Sequence, residues 1–360
     1  MEDFYEIDFL QVESSQSGDA IPLRYRIGSQ IRIHVTDGGF QETGDHLVAH
    51  INKYYGSPSR IDAVIVSHPD GDHAGGLRIL FEEYQIEALW MLRPWLYVDE
   101  LIDRFSRFTK VDNLKNRLKE IYPNIAELED LAEQHDVPIY EPFQGARIDV
   151  FTVLGPTKER YLDSVVESEK TPESSKERSP KTVEEVFRRV TEKTITFVRS
   201  VWGKEIFPED DTSSENNMSV VQYAKICDHT ILLTADAGRA ALKDVIDYAP
   251  SVEIFFPGIY IVQVPHHGSR HNVSTEILDN LIGPRLSSKP KEGEEKFKAI
   301  ISAAKKDEHH PRKSVIRAFI HRGARVNSTE GNSFRAYYNA PNRTGWGPAK
   351  PLLYPEDQEQ

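Results

Sequence analysis

Between Ser67 and Gly76 the chain reads Ser-His-Pro-Asp-Gly-Asp-His-Ala-Gly-Gly, which crowds His68, Asp70, Asp72 and His73 into six positions. Imidazoles and carboxylates are the side chains that hold divalent cations when no thiolates are at hand. In an extended loop residues 68, 70 and 72 point to similar sides. The adjacent Asp72 and His73 diverge and can reach a second point, so one loop can serve two ions. The glycines allow a sharp turn and an immediate helix start, and a helix N-terminus aims N–H groups at anionic oxygens. The same letters also make a good Pro-Asp-Gly-Asp turn with two incidental histidines. The surrounding elements decide between these readings.

An apolar run at 61–67 precedes the cluster and reads as a buried strand, and an amphipathic helix follows Gly75-Gly76. Upstream, the pattern predicts strands at 4–12 and 31–35, the second ending in Asp37-Gly38-Gly39, and a helix at 43–55. Downstream it predicts a strand at 86–92, helices within 99–135, and a strand at 146–156. A polar, charged excursion at 167–181 and a helix at 183–202 form an insert, about 157–215. Strands at 218–226 and 230–236, a helix at 238–248, and strands at 252–256 and 261–265 come next. A strand at 298–304, a helix at 314–323 ending at Gly323, and a strand at 324–329 complete the domain. Strands recur in both halves with helices between them, which argues for α/β architecture. The expected organisation is one domain over 1–340 carrying the insert, with a Pro- and Gly-rich tail at 341–360.

The formal net charge is −13, from 44 basic and 57 acidic residues. A protein that grips nucleic acid over its whole surface is usually basic, so any such contact here must be local or metal-assisted. The single cysteine, Cys227, excludes an intramolecular disulfide and a thiolate metal cage. The first residues lack a basic start with an apolar core, and no run approaches the roughly 18 apolar residues of a membrane span. The expectation is a soluble, cytoplasmic protein without membrane insertion.

A strand ending in Asp-Gly-Gly, a further strand, Ser-His-x-Asp-x-Asp-His-x-Gly-Gly and a helix together resemble the metallo-β-lactamase superfamily. The aspartate at position 70, where that superfamily usually has histidine, resembles the soluble hydrolase-like domain of the ComEC/Rec2 competence family. Asn216-Asn217-Met218-Ser219, Leu232-Leu233-Thr234-Ala235-Asp236, His266-His267-Gly268-Ser269 and His309-His310-Pro311 follow in that family's order. The resemblance implies an αββα sandwich, two mixed sheets flanked by helices.

It also implies roles. His68, Asp70, Asp72, His73, Asp236 and His267 are the expected metal ligands, with Asp236 bridging two ions and Asp37 orienting the histidine loop. His266 is left to contact substrate or to pack. Asp72 and His310 are the expected catalytic residues, His310 through substrate contact or proton transfer. The superfamily usually supplies another histidine where this chain has Gly155, so one position lacks a ligand, with Asn216 or Asn217 the candidates to replace it through an oxygen. One or two divalent ions, zinc or manganese, are expected, since Asp70 makes the site more oxygen-rich.

The function implied is a metal-dependent hydrolase, a phosphodiesterase or nuclease acting on DNA or a nucleotide. Arg239, Arg270, Lys305 and Lys306 lean toward an anionic substrate, with Gly75-Gly76 N–H groups helping to stabilise developing charge. Hydrolysis of a lactone, thioester or amide on the same site is the alternative. A non-catalytic metal-binding scaffold, docking a protein partner through the insert, is the third reading.

Overall fold

The computed structural model describes residues 2–12, 14–171 and 196–360. Two seven-stranded sheets dominate. In the first, the strands run Phe334–Tyr338, Phe4–Phe9, Ala20–Ile27, Gln30–Gly38, Ala63–Ile65, Leu89–Trp90 and Ile139–Tyr140. Its first three pairings are antiparallel and its last three parallel. In the second, Ala324–Ser328, Phe297–Ile301, Ile261–Gln263 and His229–Leu233 pair in parallel. Val221–Ile226, Phe151–Gly155 and Arg147–Ile148 continue that sheet in antiparallel.

Period-two alternation explains how the sheets stack. Along the second sheet, Val153, Ile231, Leu233, Ile261 and Ile300 join the apolar cluster that includes Ile7, Leu23, Val35 and Val64 of the first sheet. Their neighbours Leu154, Leu232, Val262, Ala299 and Ile301 face the opposite way. There they pack with Leu242 of helix Arg239–Tyr248, Leu278 of helix Thr275–Ile282 and Phe319 of helix Lys313–His321. Helix Gly44–Tyr55 lends Leu47 and Ile51 to the first cluster. The result is the expected αββα arrangement of two mixed sheets flanked by helices. Polar ties join the sheets near their strand ends: Val220 N–H donates to the Ser67 carbonyl at 2.9 Å, and Gln222 Nε2 donates to Thr36 Oγ1 at 3.3 Å.

Three expectations change. The run at 252–256 is no strand: a 3-10 turn, Ala249–Val252, ends at Glu253, whose left-handed φ of 60° turns the chain. Phe255 is consequently 71% exposed, a surface position that apolar patterning alone reads as sheet. The helix expected at 183–202 lies mostly outside the described residues, as does most of 167–181. Within its last part, Phe197–Arg199 is instead a strand paired with Asp357–Glu359 of the C-terminal tail. The strand Ala20–Ile27 had no counterpart in the pattern reading. The tail is also pinned: Arg343 donates to Asp8 and Glu6 at 2.7 Å each, and Trp346 Nε1 donates to Tyr54 Oη. Among the described residues no helix is long and apolar enough to cross a membrane.

Candidate metal centre

The expected ligands come from one edge, where strands of both sheets end. Strand Gln30–Gly38 delivers Asp37, and Ala63–Ile65 runs into Ser67 and His68. Helix Gly71–Ala74 carries Asp72 and His73. His229–Leu233 leads to Asp236, and Ile261–Gln263 to His266 and His267. Non-glycine residues at this edge adopt positive φ: Asp37 at 58°, Ala235 at 45°, His266 at 48° and His267 at 53°. Such conformations persist only where surrounding structure enforces them, and they gather at functional sites.

The imidazoles and carboxylates converge. Asp236 Oδ1 lies 3.3 Å from His73 Nε2 and 3.9 Å from His267 Nε2. Asp236 Oδ2 lies 3.9 Å from His68 Nε2. Asp72 Oδ2 stands 3.5 Å from His267 Nε2 and 3.8 Å from His73 Nε2. One residue at the centre escaped the sequence reading: Asp19, with Oδ2 3.8 Å from His73 Nδ1 and 3.9 Å from His267 Nδ1. Ligand atoms of Asp19, His73, Asp236 and His267 all fall within 4.8 Å of one another. The signal available was Gly18-Asp19 ahead of the alternating run of strand Ala20–Ile27. A Cβ on Gly18 would sit 2.7 Å from the Asp72 carbonyl oxygen, so only glycine lets this segment lie against the histidine loop.

The buried ring nitrogens are oriented from behind. His73 Nδ1 donates to Asp37 Oδ2 at 2.8 Å, and His267 Nδ1 to the Ser302 carbonyl at 2.9 Å. Ser67 Oγ gives its proton to Asp37 Oδ2 at 2.6 Å, so its lone pair accepts from His68 Nδ1 at 3.0 Å. All three rings therefore turn Nε2 inward, the nitrogen left for ligation. Those three Nε2 atoms, Asp236 Oδ1 and Asp19 Oδ1 are buried without a hydrogen-bond partner. Five orphaned atoms at one strand-end edge are costly unless something they bind fills the space between them. A divalent cation fits that donor set.

Electrostatics agree. Burial alone would lower the pKa of His73, but Asp236, Asp72 and Asp37 hold it well above the usual imidazole range. His267 is pushed up to about 9 against its own burial by Asp236, Asp72 and Asp19. Burial works to raise Asp236, yet His266, His73 and His267 keep it well below the carboxylate range. Burial raises Asp19. The carboxylates demand positive charge in their midst.

The other expected participants are placed as follows. Asp70 points Oδ2 to within 4.0 Å of His68 Nε2, while Lys170 holds Oδ1 at 2.5 Å. His310 stands beside the centre, its ring 5.4 Å from that of His266, and its Nδ1 donates to Asp307 Oδ2 at 3.1 Å. Asp307, also unforeseen, accepts from Ser17 Oγ at 2.7 Å. Burial lowers the His310 pKa, against the pull of Asp307. Asn217 faces helix Arg239–Tyr248, with Oδ1 3.4 Å from Ala241 N, and Asn216 contacts the His266 ring. Two roles are corrected. Gly75 N–H bonds to the Gly71 carbonyl and Gly76 N–H to that of Gly39, so neither faces a substrate. Arg239 donates to the carbonyls of Val273, Arg270 and Glu209 and is a structural clamp.

Residues 35–142 match the Metallo-beta-lactamase superfamily. The chain is 28% identical over 136 residues to ComE operon protein 3 of Bacillus subtilis (strain 168), a stretch covering 38% of this chain and 15% of that one. Among solved structures it is similar to the metallo-beta-lactamase fold protein YhfI from Bacillus subtilis, at 10% identity and TM-score 0.39, over 92% of this chain and 100% of that one. It is also similar to Rm3 metallo-beta-lactamase, at 11% identity and TM-score 0.33, over 75% and 80%. The matched stretch, residues 35–142, spans the histidine loop and its flanking strands.

Proposed function

We propose that the protein is a metal-dependent hydrolase of phosphodiester bonds, acting on DNA or a nucleotide. The observation that carries the hydrolase reading is the set of five buried, unpartnered ligand atoms at one strand-end edge. His73, Asp72, His267, Asp19 and Asp236 Oδ1 would hold a cation on the deeper side. His68, Asp70 and Asp236 Oδ2 would hold one on the more open side. When bound, a divalent cation in such a set supplies Lewis-acid polarisation and a nucleophile at neutral pH.

The chain's own residues do the rest. Asp37, Ser67 and the Ser302 carbonyl keep the three rings turned with Nε2 toward the centre. His310, its Nδ1–H held by Asp307, leaves Nε2 to move a proton at the substrate. Lys170, on Asp70, adds positive charge at the rim where an anionic substrate would approach. The phosphodiester preference rests on the sequence resemblance to the competence-family domain and on that cation.

The test is metal content by elemental mass spectrometry, beside an Asp72→Ala/His73→Ala variant. One or two zinc or manganese ions per chain, lost in the variant, support the reading. The loaded protein is then given phosphodiester, thioester and lactone substrates. Turnover of the last two alone overturns the substrate class. No metal after incubation with either ion overturns the hydrolase and favours a scaffold.

A further inference from the structure

We propose that His266 is a metal ligand in its own right, completing the position served by His68, at the edge where Gly155 offers no side chain. This rests on reading the cluster as a metal centre.

Asp236 is flanked on both oxygens. Oδ1 faces His73 and His267. Oδ2 faces His68 at 3.9 Å and His266 Nε2 at 3.5 Å. Two consecutive histidines thus reach opposite sides of one carboxylate. Here both residues adopt left-handed φ, 48° and 53°, and Gly268 follows at 83°. Such conformations gather at functional sites.

The orientation of the ring is also set. Asn272 Nδ2 donates to the Asp236 carbonyl at 2.8 Å, which turns its Oδ1 toward His266 Nδ1 at 3.0 Å. Nδ1 is thus turned toward protein partners. Asn216 Nδ2 lies 2.9 Å from the same Nδ1 and donates to Thr212 Oγ1 at 2.7 Å. Nε2 is turned to the Asp236 side. This is how a ligating imidazole is held by its outer partners. Asn216 then acts by orienting His266 and does not itself face the ion. Gly155 lies at the same sheet edge as Asp236, since its strand and the strand leading to Asp236 both run antiparallel to Val221–Ile226. The His266 ring, 26% exposed, is the open wall of the centre.

The experiment titrates the full-length protein with manganese(II) alone, by calorimetry and electron paramagnetic resonance, beside His266→Gly and His267→Ala. Glycine accepts the left-handed backbone, so His266→Gly removes the ring without straining the turn. Circular dichroism checks folding. The expected result is a spin-coupled pair in the wild type. In His266→Gly a single uncoupled ion remains, the second site is weaker than the ~10–100-fold lost with a supporting partner, and added imidazole restores coupling. Two coupled ions at unchanged affinity in His266→Gly overturn the proposal. So does a wild type binding one ion that His266→Gly leaves unaltered, with the metal reading intact. A wild type binding no manganese or zinc overturns the metal reading itself. Should His266→Gly not fold, wild-type imidazole protonation is read by NMR. Nδ1–H with a metal-shifted Nε2 at His266 is expected, and an unshifted ring overturns the proposal.

Discussion

Asp37 shows how one side chain governs the centre without facing it. It accepts from Ser67 N at 2.9 Å, Ser67 Oγ at 2.6 Å and His73 Nδ1 at 2.8 Å, and through Ser67 it also fixes His68. Asp37→Ala leaves those donors buried and frees two rings to turn. Metal affinity should fall about 10–100-fold, read by competition with a chelating dye, while the count of ions at saturation stays that of the wild type. The sequence announced Asp37 through Asp-Gly-Gly after a strand. It did not announce Asp19, which sits ahead of a strand that the pattern reading passed over.

At the scale of elements, the histidine loop is held by close backbone approach. A Cβ on Gly76 would stand 2.0 Å from the Gly38 carbonyl oxygen and 2.9 Å from that of Phe40. Both obstacles are backbone, so neither can swing aside. Gly76→Ala should destabilise the fold by about 3 kcal/mol or more, as overpacking of a rigid contact does. Because the Gly76 N–H bonds to Gly39 beside Asp37, metal content should drop with stability. Thermal melting with and without zinc measures both. Gly75-Gly76 thus serve packing of two strand-end loops, where the sequence alone suggested substrate contact.

At the scale of the molecule, the last part of the insert is locked to the helical layer by Glu205. Its buried carboxylate accepts from Arg322 NH1 at 2.7 Å, His321 Nδ1 at 2.9 Å and Thr275 Oγ1 at 2.7 Å. Burial would raise its pKa, but His321 and Arg322 hold it down to about 2. A carboxylate lowered by folding contributes stability that is full above its unfolded value, near 4.5, and fades as pH falls toward 2. Glu205→Gln should therefore lower stability at pH 7 by about 2–4 kcal/mol. The gap from wild type should narrow below pH 4.5, as followed by urea unfolding at several pH values. A pH-independent gap would mean that the carboxylate's charge contributes nothing.

The sequence by itself determined the alternation of strands and helices, the histidine loop and the order of the strand-end residues, because hydrophobic period and turn chemistry are local properties. It also determined that Gly155 brings no ligand. It could not settle 252–256, where apolar residues face solvent, nor the tail, whose Arg343 finds Glu6 and Asp8 some 335 residues away. Only the tertiary structure decided which ring nitrogens face inward, that Asp19 joins them, and that His266 and His267 part around Asp236. Those outcomes depend on left-handed backbone and on hydrogen bonds from distant strands, which no local pattern encodes.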